Sequence, residues 1–202
     1  MNATTLPILN LAHYFNPAER DAFLEQLRTS ARDIGFFYLI NHGVNDDLQR
    51  AVQREARRFF ALSDTQKQQV AMIHSPHFRG YNRAASEITR GKPDWREQFD
   101  IGAERPELLL SDSDPRWRRL QGPNLWPEEQ PELKTALLDW QKSMTEMAIV
   151  LLRAFAEALH LPANAFDALY GDKPNEHIKL IRYPGQELSL IHISEPTRPE
   201  PI

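Results

Sequence analysis

The spacing of apolar positions changes several times along the chain, and each change marks an element. Leu6, Ile8 and Leu9 surround Pro7 in a short extended segment ending at Leu11. Asn16-Pro17-Ala18-Glu19 then carries a helix start, with Asn as cap, Pro at the first helical position and Glu at the third. Phe23, Leu24, Leu27, Ala31 and Ile34 follow at three- and four-residue steps, predicting a helix with one face on a core. Gly35 to Ile40 is an aromatic and aliphatic run too short for a helix; it predicts a buried strand stopped by Asn41-His42-Gly43.

Helical spacing returns at Asn45, where Asp46 and Asp47 suit the positive end of a helix dipole. Leu48, Val52, Ala56 and Phe59 or Phe60 form the apolar stripe of this second helix. Ser63-Asp64-Thr65-Gln66 repeats the capping-box logic for a short third one. Between His74 and Trp126 the chain is rich in Pro, Gly, Asp and Arg, which predicts loops and short strands, Gln98 to Ile101 foremost. From Pro131 to His160 one stripe runs through Leu133, Leu137, Trp140, Met144, Met147, Ala148, Leu151, Leu152, Phe155 and Leu159. This long helix ends at Leu161-Pro162. Asn164 to Tyr170 predicts a short helix closed by Gly171, and Glu176 to Pro184 a strand with Ile178, Leu180 and Tyr183 as its inward set.

Composition narrows the classes. The 202 residues carry 24 basic against 28 acidic side chains, a net charge of −4, so no polyanion partner is indicated. The one basic cluster, Arg50, Arg54, Arg57 and Arg58, reads as a solvated helix face. There is no cysteine, which excludes thiolate ligands and nucleophiles and leaves imidazole and carboxylate for any metal. The N-terminus lacks the charged and apolar regions of a signal peptide. No apolar run reaches the roughly 18 to 20 residues of a membrane span. A cytoplasmic protein without nucleic-acid or membrane partners is the expectation.

Several segments, taken in order, resemble the N-terminal half of the isopenicillin-N-synthase-like oxygenases. They are Gly35 to Val44, Phe59-Phe60-Ala61-Leu62-Ser63 through Lys67, Arg79-Gly80-Tyr81, Asp94-Trp95-Arg96-Glu97-Gln98-Phe99-Asp100, Asn124-Leu125-Trp126-Pro127 and Arg182-Tyr183-Pro184. The resemblance implies an α+β chain: the helical N-terminal region of a double-stranded β-helix, or jelly roll, with most of the barrel missing. It implies Fe(II) and 2-oxoglutarate as cofactors of the full-length protein, and a small-molecule substrate. It divides the chain into a dioxygenase N-terminal domain at 1–130, the long helix and first barrel strand at 131–185, and a tail at 186–202. It also marks Tyr183 as a 2-oxoglutarate contact and Arg79 and Lys179 as substrate contacts; a surface or ion-paired role stands beside the last two.

The family's iron ligands, a His-x-Asp pair and a distant second His, have no counterpart. None of the seven His residues is followed two places later by Asp or Glu, and the sole Arg-x-Ser, Arg28-Thr29-Ser30, lies in the first helix rather than late in a barrel. His42 reads as a turn residue. Leu188 to Pro199 resembles a translated sequencing-library adapter, and residues 195–202, rich in Pro, are expected to be disordered. The fragment is accordingly expected to hold no cofactor, to be inactive as given, and to self-associate through apolar surface on the long helix that a barrel would cover. A short, non-catalytic helical binding module is the alternative reading.

Overall fold

A computed structural model describes residues 5–83, 88–89, 92–93 and 95–184. The motif residue Asp94 and the tail from Gly185, with its expected disorder, lie outside the described residues. The elements are β1 (Ile8–Asn10), α1 (Ala12–Phe15), α2 (Arg20–Asp33), β2 (Tyr38–Ile40), α3 (Asp46–Ala61), α4 (Asp64–Gln69), β3 (Gly80–Asn82), β4 (Ile88–Thr89), β5 (Lys92–Pro93), β6 (Glu97–Gly102), α5 (Pro131–Ala158), α6 (Asp167–Tyr170) and β7 (His177–Arg182). The chain is a mixed α+β structure.

Helix starts follow local chemistry. The Asn45 side chain accepts from the Asp47 amide at 2.7 Å and caps α3. Ser63 and Gln66 form the reciprocal capping box of α4. Asn16 accepts from the Ala18 amide at 3.1 Å as expected, but residues 17–19 form a turn and regular helix begins one turn later, at Arg20. The end of α5 is a Schellman motif: Leu161 donates to the Ala156 carbonyl at 2.9 Å and His160 to that of Glu157 at 2.8 Å. His160 takes the left-handed position, φ 60°, where glycine is customary.

α5 joins two cores. Its first half packs Leu133, Ala136 and Leu137 against Val52, Phe59 and Phe60 of α3 and against Tyr81, Phe99 and Ile101 of the β3-β6-β7 sheet. Its second half packs Ala154 and Ala158 against Leu9, Leu11, Tyr14, Phe23 and Leu27. The stripe expected from spacing is therefore shifted: Ala148 is exposed, as are Leu152 and Leu159 at 38% and 55%, while Gln141 is buried. A helix that turns two segments of its surface toward two different cores does not keep one continuous buried line.

β6 pairs antiparallel with β3 and with β7. Register places Phe99 opposite Leu180 and Tyr81, and Ile101 opposite Ile178, so these residues share the helix-facing side. Glu97 lies on that side too. Its Oε2 accepts from Lys67 Nζ at 3.0 Å and from the Tyr81 hydroxyl at 2.6 Å, and its Oε1 from Arg182 at 2.8 Å. This buried network ties α4 to all three strands. Burial and the neighbouring Glu97 push the Tyr81 phenol well above its ordinary value.

The first sheet corrects the expectation for Gly35 to Ile40. β2 is not buried: it pairs only with β1, in parallel, and Tyr38 and Ile40 are 61% and 45% exposed. Phe37 and Leu39 pack inward on the second core. Ile8, Phe36, Tyr38 and Ile40 are thus exposed apolar side chains on and beside this pair, as Leu152 and Leu159 are at the end of the long helix.

Candidate functional site: the polar face of the three-stranded sheet

Alternation leaves a second face on the three-stranded sheet, and it is polar. Register puts Lys179 opposite Asp100 and His177 opposite Gly102, with Asn82 opposite Gln98 on the other side of β6. Asp100 is fully buried at the centre. Its Oδ1 accepts from His177 Nε2 at 2.7 Å and forms an ion pair with Lys179 Nζ at 3.2 Å. Its Oδ2 has no partner among the described residues. The face opens toward β7, where the side chains of His177 and Lys179 are 39% and 29% exposed.

The Arg-Gly-Tyr segment builds the flank of this face. Gly80 has φ 114°, and a Cβ there would meet the Val70 carbonyl at 2.4 Å, so no other residue fits. Arg79 is corrected from a surface residue to a buried one, 4% exposed. Its guanidinium donates to the carbonyls of His77 at 3.0 Å, Phe78 at 3.3 Å and Leu120 at 3.1 Å, and it crosses over Gly102, where a Cβ would collide with it at 2.2 Å. Burial pushes Arg79 below its ordinary value, against the opposing charges of Asp100 and Glu104. Phe78 adopts the left-handed region at φ 60°, a conformation that costs about 1–3 kcal/mol. Its ring stands 6.1 Å from that of His177.

Tyr183 falls outside the Ile178 and Leu180 set because it is out of step with their alternation. It continues the series His177, Lys179, Ile181 and is 70% exposed. Of the residues expected at a site, Lys179 lies on β7 opposite Asp100, Tyr183 follows directly after the end of that strand, and Arg79 immediately precedes β3. Asp100 and His177 were not anticipated. The one available sign was a carboxylate between Phe99 and Ile101 in a segment read as a strand.

Two concavities lie elsewhere. One, of about 460 Å³, runs between α3 and β7 past Ala56, Phe60 and Leu180; the other, of about 700 Å³, lies beside α5. Neither includes Asp100, His177 or Lys179.

Iron(II) in an imidazole and carboxylate site needs several such ligands on one centre. Among the described residues no group of three His, Asp or Glu side chains could hold a metal ion. The described residues by themselves do not fit the ion. No helix among the described residues is long and apolar enough to cross a membrane.

The family profile described as non-haem dioxygenase in morphine synthesis, N-terminal, matches residues 6–129. A 2-oxoglutarate-dependent dioxygenase, frbJ, of a Dothideomycetidae species is 35% identical over 91% of this chain and 49% of its own length. A homoarginine-6-hydroxylase of Arabidopsis thaliana is 32% identical over 82% of this chain and 49% of its own. The chain thus spans about half the length of the curated relatives it matches. In fold it is similar to a 2OG-Fe(II) oxygenase family protein of Caulobacter crescentus (TM-score 0.75, 24% identity, 93% of this chain and 59% of that one). It is also similar to a full-length Neurospora crassa protein solved in complex with alpha-KG (TM-score 0.71, 24% identity, 91% of this chain and 56% of that one). The chain belongs to the 2-oxoglutarate-dependent non-haem dioxygenase family, whose N-terminal domain it carries.

Proposed function

We infer that this chain is the N-terminal half of an enzyme that couples conversion of 2-oxoglutarate and O2 to succinate and CO2 with oxidation of a small molecule. The polar face of β3-β6-β7 forms one wall of the reaction cavity. The rest of a jelly-roll barrel, with the Fe(II) ligands, comes from a further segment. Iron, when bound there, supplies the oxidising chemistry. In this reading Tyr183 contacts 2-oxoglutarate and Lys179 the substrate, while Arg79 fixes the wall from behind. The observation that carries the reading is the pairing of Lys179 with the buried Asp100, with Tyr183 directly after the end of the same strand, in a chain of this family. Relatives named for homoarginine hydroxylation, and the Neurospora crassa protein solved with alpha-KG and thymine, support a small polar substrate.

The test is to join residues 1–184 to the C-terminal half of a relative and follow 2-oxoglutarate consumption. Tyr183→Phe in the joined protein removes one hydroxyl. A hydrogen bond to a charged group is worth roughly 1.5–3 kcal/mol, so the apparent affinity for 2-oxoglutarate should fall about ten- to a hundredfold with iron binding unchanged. Unchanged 2-oxoglutarate dependence would remove Tyr183 from the site.

A further inference from the structure

We propose that His177, oriented by the buried Asp100, and Lys179 beside it form a two-point recognition site for a small carboxylic acid bearing an N–H or O–H donor. The substrate class rests on the reading of this face as a cavity wall; the orientation of His177 does not.

The chemistry follows from hydrogen-bond inventory. A carboxylate oxygen only accepts, so the 2.7 Å contact to Asp100 Oδ1 places the imidazole proton of His177 on Nε2. Nδ1 is then a bare acceptor, and no described residue donates to it. The imidazole has little freedom to turn, because Asp100 holds one edge and the Phe78 ring lies 6.1 Å away. Lys179 Nζ carries three donors and sits in an ion pair with Asp100 at 3.2 Å, so it has donors to offer a ligand. Both side chains are partly exposed, whereas Asp100 is not.

The two residues are same-face neighbours on β7 and both reach Asp100 Oδ1, His177 Nε2 at 2.7 Å and Lys179 Nζ at 3.2 Å, so these nitrogens lie within about 6 Å of one another. The wall therefore offers a cationic donor and, one strand step away, a neutral acceptor. The complementary molecule has a carboxylate for Lys179 and a donor for His177 at that separation. Asp100 touches neither group of the ligand; it is a positioning residue that fixes which nitrogen of His177 is free. A purely structural cluster would lock β6 to β7 equally well but would show no preference between ligands.

Two measurements decide it. In the 202-residue chain with 15N-labelled histidine, His177 should be the Nε2–H tautomer, identified by the signal lost in His177→Phe. Spectra are read in solution or, if the chain self-associates, in the sedimented state. Asp100→Asn, whose amide can donate or accept, should abolish the preference. An Nδ1–H tautomer, or no change in Asp100→Asn, overturns the orientation. In the joined protein, binding of 6-aminohexanoate and hexanoate is compared by calorimetry. The first should bind about tenfold tighter, and the ratio should fall to within about twofold in His177→Phe. Equal binding, or binding of neither, overturns the recognition site while leaving 2-oxoglutarate turnover untouched. Preference for the amino acid in a joined protein that consumes no 2-oxoglutarate would uphold the site and sink the dioxygenase reading.

Discussion

Single residues show where burial and charge meet. Glu97 sits between Lys67, Tyr81 and Arg182, and both ends of the Lys67 contact are almost fully buried. Removing one partner of such a pair strands the other charge. Glu97→Leu should cost about 3–5 kcal/mol in urea unfolding, and Lys67→Met added to it should restore much of the loss. Additive effects of the two changes would show that the pair is not coupled. Tyr81 adds a pH signature. Its phenol is raised above the ordinary value of 10.0 by burial first and by Glu97 second. A raised folded value means that its contribution is complete below about pH 10 and is lost as pH climbs through the folded value. The alkaline limb of stability should therefore flatten in Tyr81→Phe; an unchanged limb would count against the hydrogen bond. The sequence did not disclose this network, because Lys67 and Glu97 are 30 residues apart and each alone reads as a surface charge.

At the scale of elements, what was legible is what local chemistry decides. Caps at Asn45 and Ser63 and the extent of α5 could be read from adjacent residues, since the bonds that fix them span three or four positions. Asn45→Ala should lower stability by about 1 kcal/mol. His160 is a different case. It occupies a left-handed position that costs a non-glycine residue roughly 1–2 kcal/mol, so His160→Gly should raise the melting temperature despite losing the contact to Arg28. A lower melting temperature would show that the Arg28 contact outweighs the strain. Strand burial was not legible. Gly35 to Ile40 is apolar enough for a buried strand, but burial depends on what packs over it, and β2 has a single neighbour. The polar face was hidden for the same reason: Asp100 meets His177 across 77 residues of chain.

At the scale of the whole molecule, the apolar side chains of Ile8, Phe36, Tyr38 and Ile40 stand exposed on and beside the β1-β2 pair. Such a surface on a short parallel pair favours association. The chain alone should sediment as more than a monomer, and Tyr38→Lys with Ile40→Thr should shift it toward monomer; a wild-type monomer at micromolar concentration would contradict this. The central claim concerns activity and is tested most directly by succinate formation. Residues 1–184 joined to the C-terminal half of a relative should form succinate from 2-oxoglutarate in a reaction requiring iron and O2 and stopped by a chelator. The 202-residue chain alone should form none. Succinate from the chain alone, or a folded joined protein that makes no succinate under any substrate, would contradict the account.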